Sequence, residues 1–173
     1  FGGQGVLSAG VLLANCVAAE GLNVTCLPSY GPEMRGGTAN ASVIASEEII
    51  GAPVVDRPNV LIAMNGPSLD AFEPKMEAGG LAMVNASLTG RTVERGDLRA
   101  IHVPATEMAN QLGSTATASV IMLAVYAATT GVIGVETLEK VIPHSLTKKD
   151  AIEVNLRAVA AAVDFVRQQE RGD

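Results

Sequence analysis

The stretch "NVLIAMNGPSLDAFEPKMEAGGLAMVNAS", Asn59 to Ser87, reads as strand, helix and strand in that order. "NVLIAMN" is an apolar run bounded by Pro58 and by Gly66-Pro67, as expected of a strand covered on both faces. A helix then runs from Ser68, a plausible N-cap, to Ala78, and Gly79-Gly80 stops it. "LAMVNAS" supplies the second buried strand. Two apolar strands joined by a helix form a parallel βαβ unit, and that unit sets the fold class.

Working outward, the same alternation continues. "AIHVPA" is a further strand leading at Thr106 into a short helix, "TEMANQLG", and "GRTVERGDLR" before it is a polar loop or hairpin. Toward the N-terminus, "VLSAGVLLANCVAAE" sets Leu7, Val11, Ala14 and Ala18 at helical spacing and ends at Gly21. "NVTCLPS" reads as a strand ended by Pro28, and "TANASVIAS" as another. "EEIIGAPVVDRP" is a loop or short edge strand, since its prolines bar it from a central position. Beyond the third strand come a central helix from Thr115 to Thr130, a small helix near Val135 to Val141 and an amphipathic helix from Lys148 to Gln169. The expected architecture is a three-layer α/β/α sandwich with a largely parallel or mixed sheet, one domain over residues 1–173. The glycine turn at the start implies a first strand upstream of Phe1.

Composition narrows the class. The 173 residues are 48% hydrophobic, 17% charged and 3% aromatic with no Trp, so the core must be aliphatic. A net charge of −6 without a basic cluster argues against a nucleic-acid partner held through phosphates. Leu112 to Val135 carries no charge and approaches the roughly 20 residues a membrane span requires. Its many Ser and Thr residues, missing flanking cations and terminal Gly131 and Gly134 make it a buried helix instead. Cys16 and Cys26 sit in apolar periodic segments and read as small buried hydrophobes, which implies a reducing, cytoplasmic setting.

Two segments carry chemistry. In "FGGQGV" a glycine-rich turn runs straight into a helix whose first N–H groups have no intrahelical partner, so Gly2, Gly3, Gln4 and Gly5 form a candidate anion or coenzyme A site. A dinucleotide fingerprint would also need an acidic residue at the end of the next strand, and "LPSY" offers none. Tight helix packing and capture of a phosphate or carboxylate both remain open for the turn. In "SYGPEMRGG", Pro32 stiffens one end and Gly36 and Gly37 shape the other. Glu33 and Arg35 pair with each other, or Arg35 offers its planar fork to an anion outside the domain. His102 and His144 lie in a strand and near a helix end, without metal-ligand spacing, and Ser8 lacks the nucleophile-elbow pattern. These residues describe a binding or assembly module, not a self-sufficient catalyst.

"FGGQGVLSAG", "LPSYGPEMRGGTANASV", "VLIAMNGPSLDAF" and "HVPATEMANQLGS", in this order, resemble the gamma subunit of 2-oxoacid:ferredoxin oxidoreductases, from Phe1 to about Ala162. The related indolepyruvate oxidoreductase beta subunit has a similar glycine turn, but usually lacks the Pro-Glu that Pro32 and Glu33 supply here. The resemblance implies a subunit of an enzyme that oxidatively decarboxylates a 2-oxoacid with coenzyme A, giving acyl-CoA, carbon dioxide and reduced ferredoxin, with 2-oxoglutarate as the favoured substrate. It places thiamine diphosphate between alpha and beta chains and iron–sulfur clusters on beta or delta chains, so that this chain binds no cofactor alone and contributes no catalytic residue. It also implies alpha, beta and delta partners, indirect contact with ferredoxin and a gamma–gamma contact. Tyr30, Pro32, Glu33, Arg35, Gly36 and Gly37 then become candidates for the subunit interface. A stand-alone nucleotide- or coenzyme A-binding protein is the rival reading.

Overall fold

The computed structural model describes residues 2–31, 38–146 and 148–172. Helix α1 spans Val6–Ala19. The Gly21 N–H bonds the Ala18 carbonyl and the Leu22 N–H the Val17 carbonyl, the paired bonds of a Schellman stop. The chain then forms a hairpin, β1 (Asn23–Tyr30) antiparallel to β2 (Ala39–Ser46), in register from Asn23 opposite Ser46 to Tyr30 opposite Ala39. Pro28 does not end β1: it pairs with Ala41 inside the ladder. The hairpin is a two-stranded sheet by itself, so β1 has an open edge on which a missing N–H breaks no ladder bond.

The second sheet is parallel, in the order β3 (Val60–Ala63), β4 (Leu81–Asn85), β5 (Arg99–Val103). Val60 aligns with Leu81, and Leu81 with Arg99. The α/β class and the parallel βαβ unit follow the sequence expectation, while the strands divide between two sheets. Segment 47–58 contributes no strand.

Alternation along β4 sends neighbouring side chains to opposite faces. Met83 joins Met64 and Val103 in the main core, with residues of α1 and of the later helices. Val84 joins Ala63 and Leu69 in a smaller cluster under α2 (Gly66–Phe72). Helices therefore cover both faces. The remaining helices are α3 (Ala86–Thr89), α4 (Ala105–Gln111), α5 (Ala118–Thr130), α6 (Val135–Ser145) and α7 (Lys149–Gly172). Every residue of α5 from Ala118 to Ala127 is buried, which is why its sequence is apolar on all sides. Among the described residues no helix is long and apolar enough to cross a membrane.

Several helices begin or end away from their expected positions, α2 and α5 among them. α2 is capped by Asn65 rather than Ser68, because the Asn65 Oδ1 accepts the Ser68 N–H at 2.9 Å and Pro67 presets the first turn. It stops at Phe72 because Pro74 cannot continue the ladder, and a 3₁₀ turn over Glu73–Lys75 follows. The central helix likewise opens with a 3₁₀ turn over Thr115–Thr117 before α5 begins.

Candidate functional site

In open α/β sheets the strands' carboxyl ends face the crevice in which ligands bind. Here those ends carry two buried asparagines. Asn65, 4% exposed at the end of β3, donates from Nδ2 to the Gln4 Oε1 at 2.7 Å while its Oδ1 caps α2. Asn85, fully buried at the end of β4, donates to the Thr106 Oγ1 at 2.9 Å and to the Met64 carbonyl at 3.3 Å, and accepts the Thr106 N–H. Both satisfied amides fix loops to the sheet end rather than standing free for chemistry.

The glycine turn lies at this end. Gly3 (φ 95°) and Gly5 (φ 71°) occupy left-handed conformations that side chains disfavour, and Gly5 is the N-cap of α1. α1 has no side-chain cap and no acidic residue in its first turn, so its positive dipole end is left for something other than its own side chains. A Cβ on Gly5 would sit 2.8 Å from the Oγ of Ser119, which places the turn against the start of α5. Gly2, Gly3, Gln4 and Gly5 thus come together as the sequence suggests. The Asn65 tether and the Ser119 neighbour are invisible in the sequence, since each lies far along the chain and belongs to no local motif.

Of the second segment, Tyr30 ends β1 with 72% of its surface exposed. Pro32, Glu33, Arg35, Gly36 and Gly37 lie outside the described residues. The neck below them is closed by the Gly31 N–H donating to the Thr38 carbonyl at 2.7 Å. Thr38, Ala39 and Asn40 line a cleft of about 170 Å³ with Pro67, Ser68, Ala71 and Phe72 of α2. Residues 65–68 therefore touch the glycine turn on one side and the base of the loop on the other. The two segments singled out in the sequence share one end of the molecule.

The remaining candidates stand apart from this end. Cys16 is buried, and burial with the nearby Glu20 charge pushes its thiol up to about 11, the opposite of what a nucleophile requires. His102 lies on β5, its Nε2 buried without a hydrogen-bond partner among the described residues, and His144 is in the last turn of α6. Among the described residues no group of three or more His, Cys, Asp and Glu side chains is placed to hold a metal ion.

Comparison with known proteins bears on this arrangement. Residues 1–165 match the family described as pyruvate ferredoxin/flavodoxin oxidoreductase. The chain belongs to that family. It is 40% identical over 176 residues to the ketoisovalerate oxidoreductase subunit VorA of Methanothermobacter marburgensis, covering 100% of this chain and 36% of the relative. The chain thus spans about a third of that protein's length. It is 32% identical to the 2-oxoglutarate synthase subunit KorC of the same organism, covering 99% of this chain and 95% of the relative. Among solved structures it superposes on the gamma subunit of a keto/oxoacid ferredoxin oxidoreductase from Geobacter sulfurreducens with a TM-score of 0.78 at 27% identity, covering 94% of this chain and 92% of that one. The glycine turn and both strand-end asparagines fall inside the stretch matched to the pyruvate ferredoxin/flavodoxin oxidoreductase family.

Proposed function

We propose that this chain is the gamma component of a 2-oxoacid:ferredoxin oxidoreductase, contributing assembly and an anion-binding surface rather than the reacting centre. The family match over residues 1–165 carries the reading. The crowding of the glycine turn and the Tyr30–Thr38 neck at one end of the fold supports a single docking face. In this reading the segment from Tyr30 to Gly37, with Pro32, Glu33, Arg35 and Gly36, meets an alpha or beta chain. Thiamine diphosphate and iron–sulfur clusters belong to those partners. Gly2, Gly3, Gln4 and Gly5 take a phosphate or carboxylate, with coenzyme A as the leading source.

Two substrates compete. The loop sequence favours 2-oxoglutarate, whereas 40% identity to a ketoisovalerate subunit against 32% to a 2-oxoglutarate subunit favours a branched-chain 2-oxoacid. Co-expression with the neighbouring genes, pull-down, and coenzyme A-dependent dye reduction across a panel of 2-oxoacids tests both. Recovery of thiamine- and iron–sulfur-containing chains with turnover on one acid is expected. Arg35→Ala should weaken co-purification, and unchanged assembly together with unchanged turnover would remove the loop from the interface.

A further inference from the structure

We propose that Asn65–Gly66 is a latent deamidation site, held closed by the native contacts of Asn65 and opened when the start of α2 comes away from Gln4. The inference does not depend on the subunit reading. Of the eight asparagines, only Asn65 precedes a glycine. A glycine has no side chain to shield its backbone nitrogen and turns freely, so this pair is the one most open to attack on the asparagine amide. In that reaction the Gly66 nitrogen attacks the Asn65 Cγ, the Cγ–Nδ2 bond breaks, and ammonia leaves with the proton that the Gly66 nitrogen gives up. Water then opens the succinimide, at Cγ to give an aspartyl residue or at the main-chain carbonyl to give an isoaspartyl one. Nothing is oxidised or reduced, and water is the only co-reactant.

The fold both requires this pair and restrains it. A Cβ on Gly66 would lie 2.7 Å from the Thr89 carbonyl oxygen, so the backbone approach there needs glycine. Asn65 is needed for two bonds at once, its Oδ1 accepting the Ser68 N–H at 2.9 Å and its Nδ2 donating to the Gln4 Oε1 at 2.7 Å. Ring closure requires the Gly66 nitrogen to turn about the Asn65 Cα–C bond until it eclipses Cβ. At a ψ of 167° it stands far from that position. Turning it would break the cap bond to Ser68 and the bond from the Leu69 N–H to the Asn65 carbonyl at 3.2 Å. Asn65 is 4% exposed and Gly66 is buried, so water is also kept from the amide. The native state is therefore unreactive, and the rate follows the fraction of chains in which the start of α2 is open. The Gln4 hydrogen bond ties that start to a segment 61 positions away, so removing it raises the open fraction without altering α2 itself. The isoaspartyl product adds a methylene to the main chain and displaces Gly66 from Thr89.

The test ages the full protein at mildly alkaline pH and follows the peptide carrying residue 65 by mass spectrometry, with isoaspartyl methyltransferase labelling for the isomerised product. In urea, the unfolded chain should convert Asn65 faster than any other asparagine. The native protein should convert it at least about a hundredfold more slowly, as an open population of about 1% or less dictates. Gln4→Ala should raise the native rate about fivefold, the value of one neutral hydrogen bond, and leave the unfolded rate unchanged. Its urea midpoint, measured alongside, must fall too little to explain that rise. If Gln4→Ala does not fold, the wild-type rate in sub-denaturing urea decides: a shallow dependence on urea shows local opening at α2. A dependence as steep as that of global unfolding overturns the proposal. So do equal rates in the native and unfolded chains, conversion spread evenly over the asparagines, or a Gln4→Ala rate no higher than its lost global stability accounts for.

Discussion

Gly10 shows how one missing methyl group sets a contact. A Cβ built there would lie 2.5 Å from the Cβ of Ala41, so α1 approaches the hairpin as closely as a bare backbone allows. Gly10→Ala gains about 1 kcal/mol of helix propensity but forces α1 off a rigid neighbour, an overpacking cost of about 1–3 kcal/mol. Net destabilisation is expected by urea unfolding, and Ala41→Gly added to Gly10→Ala should recover most of it. A stabilised single variant would show that the helix shifts freely. At the same scale, Glu73 is 3% exposed and accepts the backbone N–H groups of Glu94 and Arg95 at 2.7 and 2.9 Å and the Arg91 guanidinium at 2.8 Å. Burial, the largest single influence, pushes its carboxyl up, but these hydrogen bonds together outweigh it and hold the group below its usual range. Glu73→Ala strands those donors and should cost about 2–4 kcal/mol, read as a fall in the denaturant midpoint.

Among the elements, α6 is held at its start by a residue from another helix. Gly134 offers no side-chain cap, and the Glu20 Oε1, just past the end of α1, accepts the Gly134 N–H at 2.7 Å and the Thr137 hydroxyl at 2.6 Å. Glu20 thus does from a distance what an N-cap side chain does locally, with its negative charge at the positive end of the dipole. The Thr137 hydrogen bond, followed by that from Gly134, lowers its carboxyl below the ordinary value. Glu20→Gln should loosen the first turn of α6, seen as faster amide exchange at residues 135–138 with the exchange of α5 unchanged. Equal exchange in both proteins would show that the cap is cosmetic. Sequence pattern placed this helix near Val135 to Val141 but missed its end: it continues to Ser145 with Pro143 inside it.

For the whole molecule, three carboxylates with lowered values act in the same direction. Glu20, Glu73 and Asp97, the last lowered chiefly by its hydrogen bond from Arg95, stay ionised in the native chain at pH values where the unfolded chain takes up protons. Their contribution is fully present above the unfolded values of about 4.3 for Glu and 3.9 for Asp, and is lost as pH falls through the lower native values. The denaturant midpoint should therefore be steady down to about pH 5 and drop steeply below about pH 4, with a shallower acid limb in Glu73→Gln. A midpoint equal at about pH 5 and pH 3 would contradict this.

The sequence by itself determined the α/β class, the parallel unit from Asn59 to Ser87, the buried nature of α5 and the glycine turn, because each rests on local periodicity, on a turn residue or on a run of apolar side chains. The resemblance of four short motifs was enough to reach the family. Only the tertiary structure decided that the strands split into two sheets, that Asn65 rather than Ser68 caps α2, and that Gln4 is tied to Asn65 across 61 positions of sequence. Those outcomes depend on which residues meet after the chain closes, and hydrogen bonds between distant side chains leave no period or spacing behind. Ser119 is the sharpest case: one of two serines in an uncharged run, and only its place against Gly5 distinguishes it.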